Sequence, residues 1–171
     1  MAETQTLDVA REFIRSVEAK DLDAVDRTLA ADARQLFLHD RGTTTADGVA
    51  DIVAGRSKGW CVADVAGKQQ ILAYTEALFA KFDPLVWRDH RWTVSPAGTD
   101  VFFHGTGDMV VARSGKAYRN TYLTRFTVEN GKITNMSEYA DAFLYAGLWV
   151  RPNAAEFRAL LRALRHLAVH R

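Results

Sequence analysis

Near the start of the chain, apolar residues recur at three- and four-residue spacing. Leu7, Ala10, Phe13, Ile14 and Val17 share one stripe of a helix predicted over residues 7–19. The run from Asp21 predicts a second short helix, with acids in the first turn, where the helix dipole favours them, and Leu22, Val25 and Leu29 as its buried stripe. Residues 34–39 read as a strand that ends at His39-Asp40-Arg41-Gly42. Residues 43–67 hold no clear period and are broken by Gly48, Gly55, Gly59 and Gly67. One short helix over 46–54 is predicted there, in a segment long enough for a lid or a binding loop, or for a mere insertion. Gly67-Lys68 opens a further helix with Ile71, Leu72, Leu78, Phe79 and Phe82 on its stripe, and Asp83-Pro84 ends it.

After Pro84 the period falls to two. Strands are predicted over 85–94, 100–112, 117–128 and 132–139, the last with a possible extension to 144. Asn130-Gly131 is a strong hairpin signal between two of them. Asn153-Ala-Ala-Glu156 resembles a capping box, and it opens an amphipathic helix over 153–168. Helices, then a meander of strands, then a terminal helix define an α+β chain, expected to form a single domain over 1–171 with its core at about 7–145.

Composition narrows the function. The 171 residues are 48% hydrophobic and 25% charged, with a net charge of +1. That balance excludes disorder and argues against a nucleic-acid-binding domain, which needs a basic surplus. The balance is uneven along the chain: residues 151–171 carry five arginines and one acid, a net of +4, over a body with 17 basic and 20 acidic residues, a net of −3. Such a tail suits docking on its own domain or on a twin subunit. Cys61 is the only cysteine, so an intrachain disulfide and a multi-cysteine metal site are both excluded. With neither a signal-like start nor an apolar run of membrane-spanning length, a cytoplasmic protein with no membrane partner is the expectation.

No phosphate loop, dinucleotide fingerprint or nucleophile elbow is present; His166 and His170 are four apart but lie at a basic terminus, and the other histidines are scattered, so neither cofactor nor metal is expected. The candidate chemistry lies in the strands. Alternation places Tyr118, Asn120, Tyr122, Thr124, Phe126 and Val128 on the covered face of one strand. On the strand before it, Phe102, His104, Thr106, Asp108 and Val110 share a face, but the opposite set is also apolar, which leaves the inward side open. On the last strand Met136 and Glu138 share a face, and Ile133 breaks their parity unless a bulge intervenes. A carboxyl inside an apolar cavity loses hydration, and its pKa rises toward the range useful for proton transfer. Asp108 and Glu138 are therefore candidate acid–base residues. Asp108 facing solvent, or Glu138 pairing with Arg119 or Arg125, are the plain alternatives. His104 is a further catalytic candidate; His90, Asn120, Tyr122, Trp60, Tyr74 and His39 are candidate lining or substrate-orienting residues.

The ordered set of segments resembles the SnoaL-like branch of the nuclear transport factor 2 superfamily. It comprises Arg11-Glu-Phe-Ile14 with Asp21-Leu-Asp-Ala-Val, Asp32 to Asp40, Gly67-Lys-Gln-Gln-Ile71, Gly115 to Tyr122, and Asn130-Gly-Lys-Ile133 leading into Ser137-Glu-Tyr-Ala-Asp141. The resemblance implies a cone-shaped, curved antiparallel sheet closed by helices around an apolar pocket. It also implies a homodimer, and cofactor-independent acid–base chemistry on a hydrophobic small molecule, by a cyclase, isomerase, dehydratase or hydrolase. By position, Glu138 matches the acid of the Asp/Glu-Tyr motif that limonene epoxide hydrolase and phenazine proteins carry in the last strand. Asp108 matches the hydrolase's other acid to within one residue of turn length. The hydrolase's arginine two residues earlier is Thr106 here, and the tyrosine that ketosteroid isomerase places in its opening helices has no counterpart before Tyr74. A non-catalytic ligand-binding or dimerisation module, or the small subunit of an aromatic-ring dioxygenase, is the rival expectation.

Overall fold

Helix α1 (Ala2–Glu18) is held to the sheet by the stripe read from the sequence: Ala10, Phe13, Ile14 and Val17 are all buried. Helix α2 (Leu22–Thr28) starts where the Asp21 side chain accepts the Ala24 N–H at 2.9 Å, capping a free backbone donor. Strand β1 (Leu29–Phe37) follows with no intervening loop, earlier than the predicted start at residue 34. After β2 (Asp64–Ala66), helix α3 (Lys68–Lys81) crosses the sheet. The strands β3 (Trp87–Val94), β4 (Asp100–Gly107), β5 (Met109–Val111), β6 (Lys116–Tyr118), β7 (Thr121–Glu129) and β8 (Lys132–Ala140) complete the chain's described elements. The computed structural model describes residues 2–37, 64–141 and 144. The helices expected over 46–54 and 153–168, along with His39 and Trp60, lie outside the described residues.

Six strands form one curled sheet in the order β2-β1-β8-β7-β4-β3, and β5 pairs with β6 in a separate small sheet. All pairings are antiparallel except that of β1 with β8, which is parallel. The result is an α+β cone with helices across its concave side, curled but not closed into a barrel. No helix among the described residues is long and apolar enough to cross a membrane.

Two predicted long strands are each broken once, at the same level of the sheet. The run over 100–112 divides at Asp108, and the run over 117–128 divides at Arg119-Asn120. There the Gly107 N–H donates to the Asn120 carbonyl at 2.7 Å, while the Asp108 N–H donates to the Val86 carbonyl at 2.9 Å. A Cβ on Gly107 would lie 2.9 Å from the Tyr122 ring, so this corner needs a residue without a side chain.

The open question of facing is settled by burial. Val101, Phe103, Gly105, Gly107 and Met109 point inward, which puts Phe102, His104 and Thr106 on the other face of the sheet. The parity break at Ile133 is a bulge: Val128 pairs with Ile133 but Thr127 pairs with Asn135, leaving Thr134 as the extra residue. That extra residue lets Ile133, Met136 and Glu138 all face inward. The hairpin at Asn130-Gly131 has positive φ at both positions, 51° and 71°, as its sequence predicted.

Candidate functional site

Between the helices and the concave face lies a cavity of about 110 Å³. Phe13, Ile14 and Val17 of α1 and Tyr74, Thr75 and Leu78 of α3 form one wall. Trp87, Phe103 and Phe126 form an aromatic floor, with the Trp87 ring edge-on to both Phe103 and Tyr122. Polar side chains also line it, among them Glu138, Tyr118, Tyr122, Thr124, Gln35 and Asp141.

Glu138 sits on β8 between Phe37 of β1 and Thr124 of β7, in the middle of the sheet. Its carboxyl is driven from an ordinary value of 4.5 up to about 7 by burial. Among the described residues no hydrogen bond or ion pair reaches that carboxylate. The expected alternative partners are engaged elsewhere: Arg125 faces Asp100 at 3.5 Å, and Arg119 binds Asp108 at 2.6 Å. An unpaired carboxylate in apolar surroundings is costly, so the group keeps its proton to higher pH.

Two tyrosines lie within electrostatic reach of Glu138. Tyr118 and Tyr122 hydrogen-bond through their hydroxyls, and both feel the Glu138 charge. Burial is the main cause that pushes both phenols up from 10.0, Tyr122 strongly, so both remain protonated at neutral pH. Tyr118 stacks on Phe82 at 5.7 Å and Tyr74 packs on Phe37 at 5.0 Å, which fixes the rings.

The other sequence candidates fall into separate places. Asp108 does not line the cavity. It stands at the corner between β4 and β5, where Arg88 at 3.2 Å and Arg119 at 2.6 Å hold it, so the expected pairing with Glu138 is corrected. The cause is strand parity: Asp108 falls on the outward face with Phe102, His104 and Thr106, while Gly107 and Met109 on either side of it face inward. His104 points to the far side of the sheet, and its Nδ1 is buried with no partner among the described residues. His90 lies on the rim, 3.4 Å from Glu18, with its ring edge-on to Phe103. Asn120 is buried but does not line the cavity; it hydrogen-bonds Tyr118 and the backbone of Asp141. Tyr122 and Tyr74 do line it.

Tyr118, Gln35 and Asp141 were not singled out as site residues from the sequence. For Tyr118 the signal was present, since strand alternation already put it on the face of Tyr122. For Asp141 there was none, because its place at the cavity follows from where β8 ends. Among the described residues no cluster of His, Cys, Asp and Glu could hold a metal ion.

A curled sheet with helices laid across its concave face around an enclosed cavity is the architecture of the nuclear transport factor 2-like class. Within it, the family model described as a SnoaL-like domain matches residues 10–136, and the chain belongs to that family. An NTF2-like protein from Burkholderia xenovorans is 12% identical, covering 84% of this chain and 94% of its own, with a TM-score of 0.63. A phenazine biosynthesis-related protein from Pseudomonas aeruginosa is 14% identical over 89% and 85% of the two chains, with a TM-score of 0.67. An LEH-like epoxide hydrolase from M. tuberculosis is 17% identical over 98% of each chain, with a TM-score of 0.59. At these identities the likeness is one of fold. No curated protein sequence matches the chain.

Proposed function

We propose that this protein is a cofactor-independent acid–base enzyme of the isomerase or cyclase type, acting on a compact hydrophobic carbonyl compound. The observation that carries the reading is Glu138: an uncompensated carboxyl in an apolar cavity, with its pKa raised to about 7. A base with its pKa near the working pH both takes and returns a proton efficiently, a contribution of about 10²–10⁴ in rate.

In the proposed step, the Glu138 carboxylate removes a proton from a carbon next to the substrate carbonyl. The electrons of that C–H bond move onto the carbonyl oxygen, and a tyrosine hydroxyl donates a hydrogen bond to the resulting enolate. Glu138 then returns the proton to another carbon, or the enolate carbon attacks a second carbonyl to close a ring and the alkoxide that forms takes the proton back from Glu138. Raised phenol pKa values suit Tyr118 and Tyr122 for donating and not for ionising themselves. The aromatic floor excludes water that would quench the enolate.

The position of Asp108 outside the cavity supports this reading over two-carboxyl hydrolysis of an epoxide. The cavity is slightly smaller than the void of about 150 Å³ that takes up benzene in a well-studied case, so a substrate near one ring in size is proposed. The test is proton exchange into deuterated water with a panel of monocyclic ketones and enones, followed by NMR. Exchange with the parent, and none with a folded Glu138→Gln variant, is the expected result. Equal rates in both would remove Glu138 from the chemistry. Tight binding across the panel with no exchange would favour the ligand-binding module instead.

A further inference from the structure

Gln35 stands on the inward face of β1, where its register neighbours are Val65 on β2 and Met136 on β8. Both are apolar and buried, and Gln35 itself is only 7% exposed. Its side chain lines the cavity, yet Oε1 is buried with no hydrogen-bond partner. On α3, which forms the facing wall, the Thr75 hydroxyl donates to the Ile71 carbonyl at 2.9 Å and so cannot donate to Gln35. Trp87 Nε1 is also buried without a partner, but it belongs to β3, at the other end of the strand order. Buried polar atoms are almost always hydrogen-bonded, because an unpaired one loses its hydration without compensation. A polar residue where the strand pattern calls for an apolar one marks a site that something else completes.

An amide oxygen only accepts, so the missing partner must bring a proton donor. A charged ammonium would be desolvated in these apolar surroundings, which favours a neutral donor. Of the neutral donors, a hydroxyl also accepts from the amide nitrogen, so it suits either orientation of the carboxamide. Glu138 lies on the neighbouring strand, two residues beyond the Met136 that Gln35 pairs with. A strand spacing of ~4.8 Å and a rise of ~3.3 Å per residue put the two side-chain bases about 8 Å apart. One six-membered ring bridges that gap, with its hydroxyl at Gln35 and an acidic carbon at Glu138.

We propose that Gln35 is a specificity-determining residue that binds a hydroxyl group of the ligand while Glu138 faces the carbon to be deprotonated. The proposal rests on the reading of the cavity as an acid–base site and narrows its substrate class to hydroxylated monocyclic ketones and enones.

The test compares 4-hydroxycyclohexanone with cyclohexanone, which differ only in the hydroxyl, by calorimetric titration. The parent is expected to bind the hydroxy ketone about tenfold to a hundredfold more tightly, since only that ligand pairs the buried amide. Gln35→Met keeps the length of the side chain and removes its hydrogen-bonding groups. This variant is expected to bring the two affinities to within about twofold, and to melt no lower than the parent because an orphaned acceptor is gone.

An amide that merely holds a water, or that serves the fold alone, leaves the ratio of affinities unchanged in Gln35→Met, and that result overturns the proposal. Should Gln35→Met fail to fold, the parent labelled with ¹⁵N in its glutamine side chains carries the test. The Gln35 amide signals are expected to move with 4-hydroxycyclohexanone and much less with cyclohexanone; equal shifts overturn the assignment. The two readings fail separately. Preference for the hydroxy ketone with no proton exchange on it removes the enzyme and leaves the role of Gln35 standing. Exchange on both ketones with equal affinities in the parent removes the role of Gln35 alone.

Discussion

Replacing Glu138 with glutamine removes a charge that the cavity desolvates without compensation, and the effect on stability has a defined dependence on pH. The folded carboxyl titrates at about 7 against an ordinary 4.5. Below pH 4.5 it is protonated in the folded and unfolded chain alike, and contributes nothing. Between pH 4.5 and 7 the unfolded chain releases the proton while the folded chain keeps it, so stability falls as pH rises. Above about pH 7 the whole cost is present. A rise from 4.5 to about 7 corresponds to about 3 kcal/mol at ~1.36 kcal/mol per tenfold. Water reaching this partly buried side chain reduces the figure to about 1–3 kcal/mol. Glutamine keeps the shape and never ionises. Glu138→Gln is therefore expected to melt with the parent below pH 4.5 and to gain stability progressively above it. At about 2–4 °C per kcal/mol for a domain of this size, the gain is roughly 2–12 °C in alkaline buffer. Calorimetry of both proteins across a pH series reads the difference directly, because other titrating groups cancel. A difference independent of pH, or a variant less stable than the parent in alkali, refutes the desolvated state of Glu138.

Asp108→Asn removes an ion-pair partner from two arginines that are 64% and 52% exposed, so a stability loss under about 1 kcal/mol and unchanged proton exchange are expected. Loss of exchange in this folded variant would return Asp108 to the site. Gly105→Ala places a Cβ 2.6 Å from Cζ of Phe103, forcing that ring off the strand and reshaping the cavity floor. A cost of about 1–3 kcal/mol in urea denaturation and weaker benzene binding are expected, and a neutral result would mean that Phe103 yields freely.

Much of the fold was legible because the signals are local. The stripe Ala10, Phe13, Ile14 and Val17 stated both the helix and its buried face, and Asn130-Gly131 stated a hairpin. Alternation placed Tyr118 and Tyr122 inward. It could not place Asp108, since both faces of that strand are apolar and nothing local says which one is covered. The parallel partnership of β1 with β8 was not legible either, because it joins segments nearly a hundred residues apart and leaves no local mark.

The sequence by itself determined the order of helices and strands, the α+β class, and the sharing of one strand face by Met136 and Glu138. These follow from periods of 3.6 and 2, which each segment carries in its own residues. Only the tertiary structure decided which acid is desolvated. Desolvation depends on what surrounds a group on every side, and strands and helices distant in sequence supply those sides. The bulge at Thr134 turns Glu138 into the cavity, and the covering of the opposite strand face leaves Asp108 outside, between two arginines.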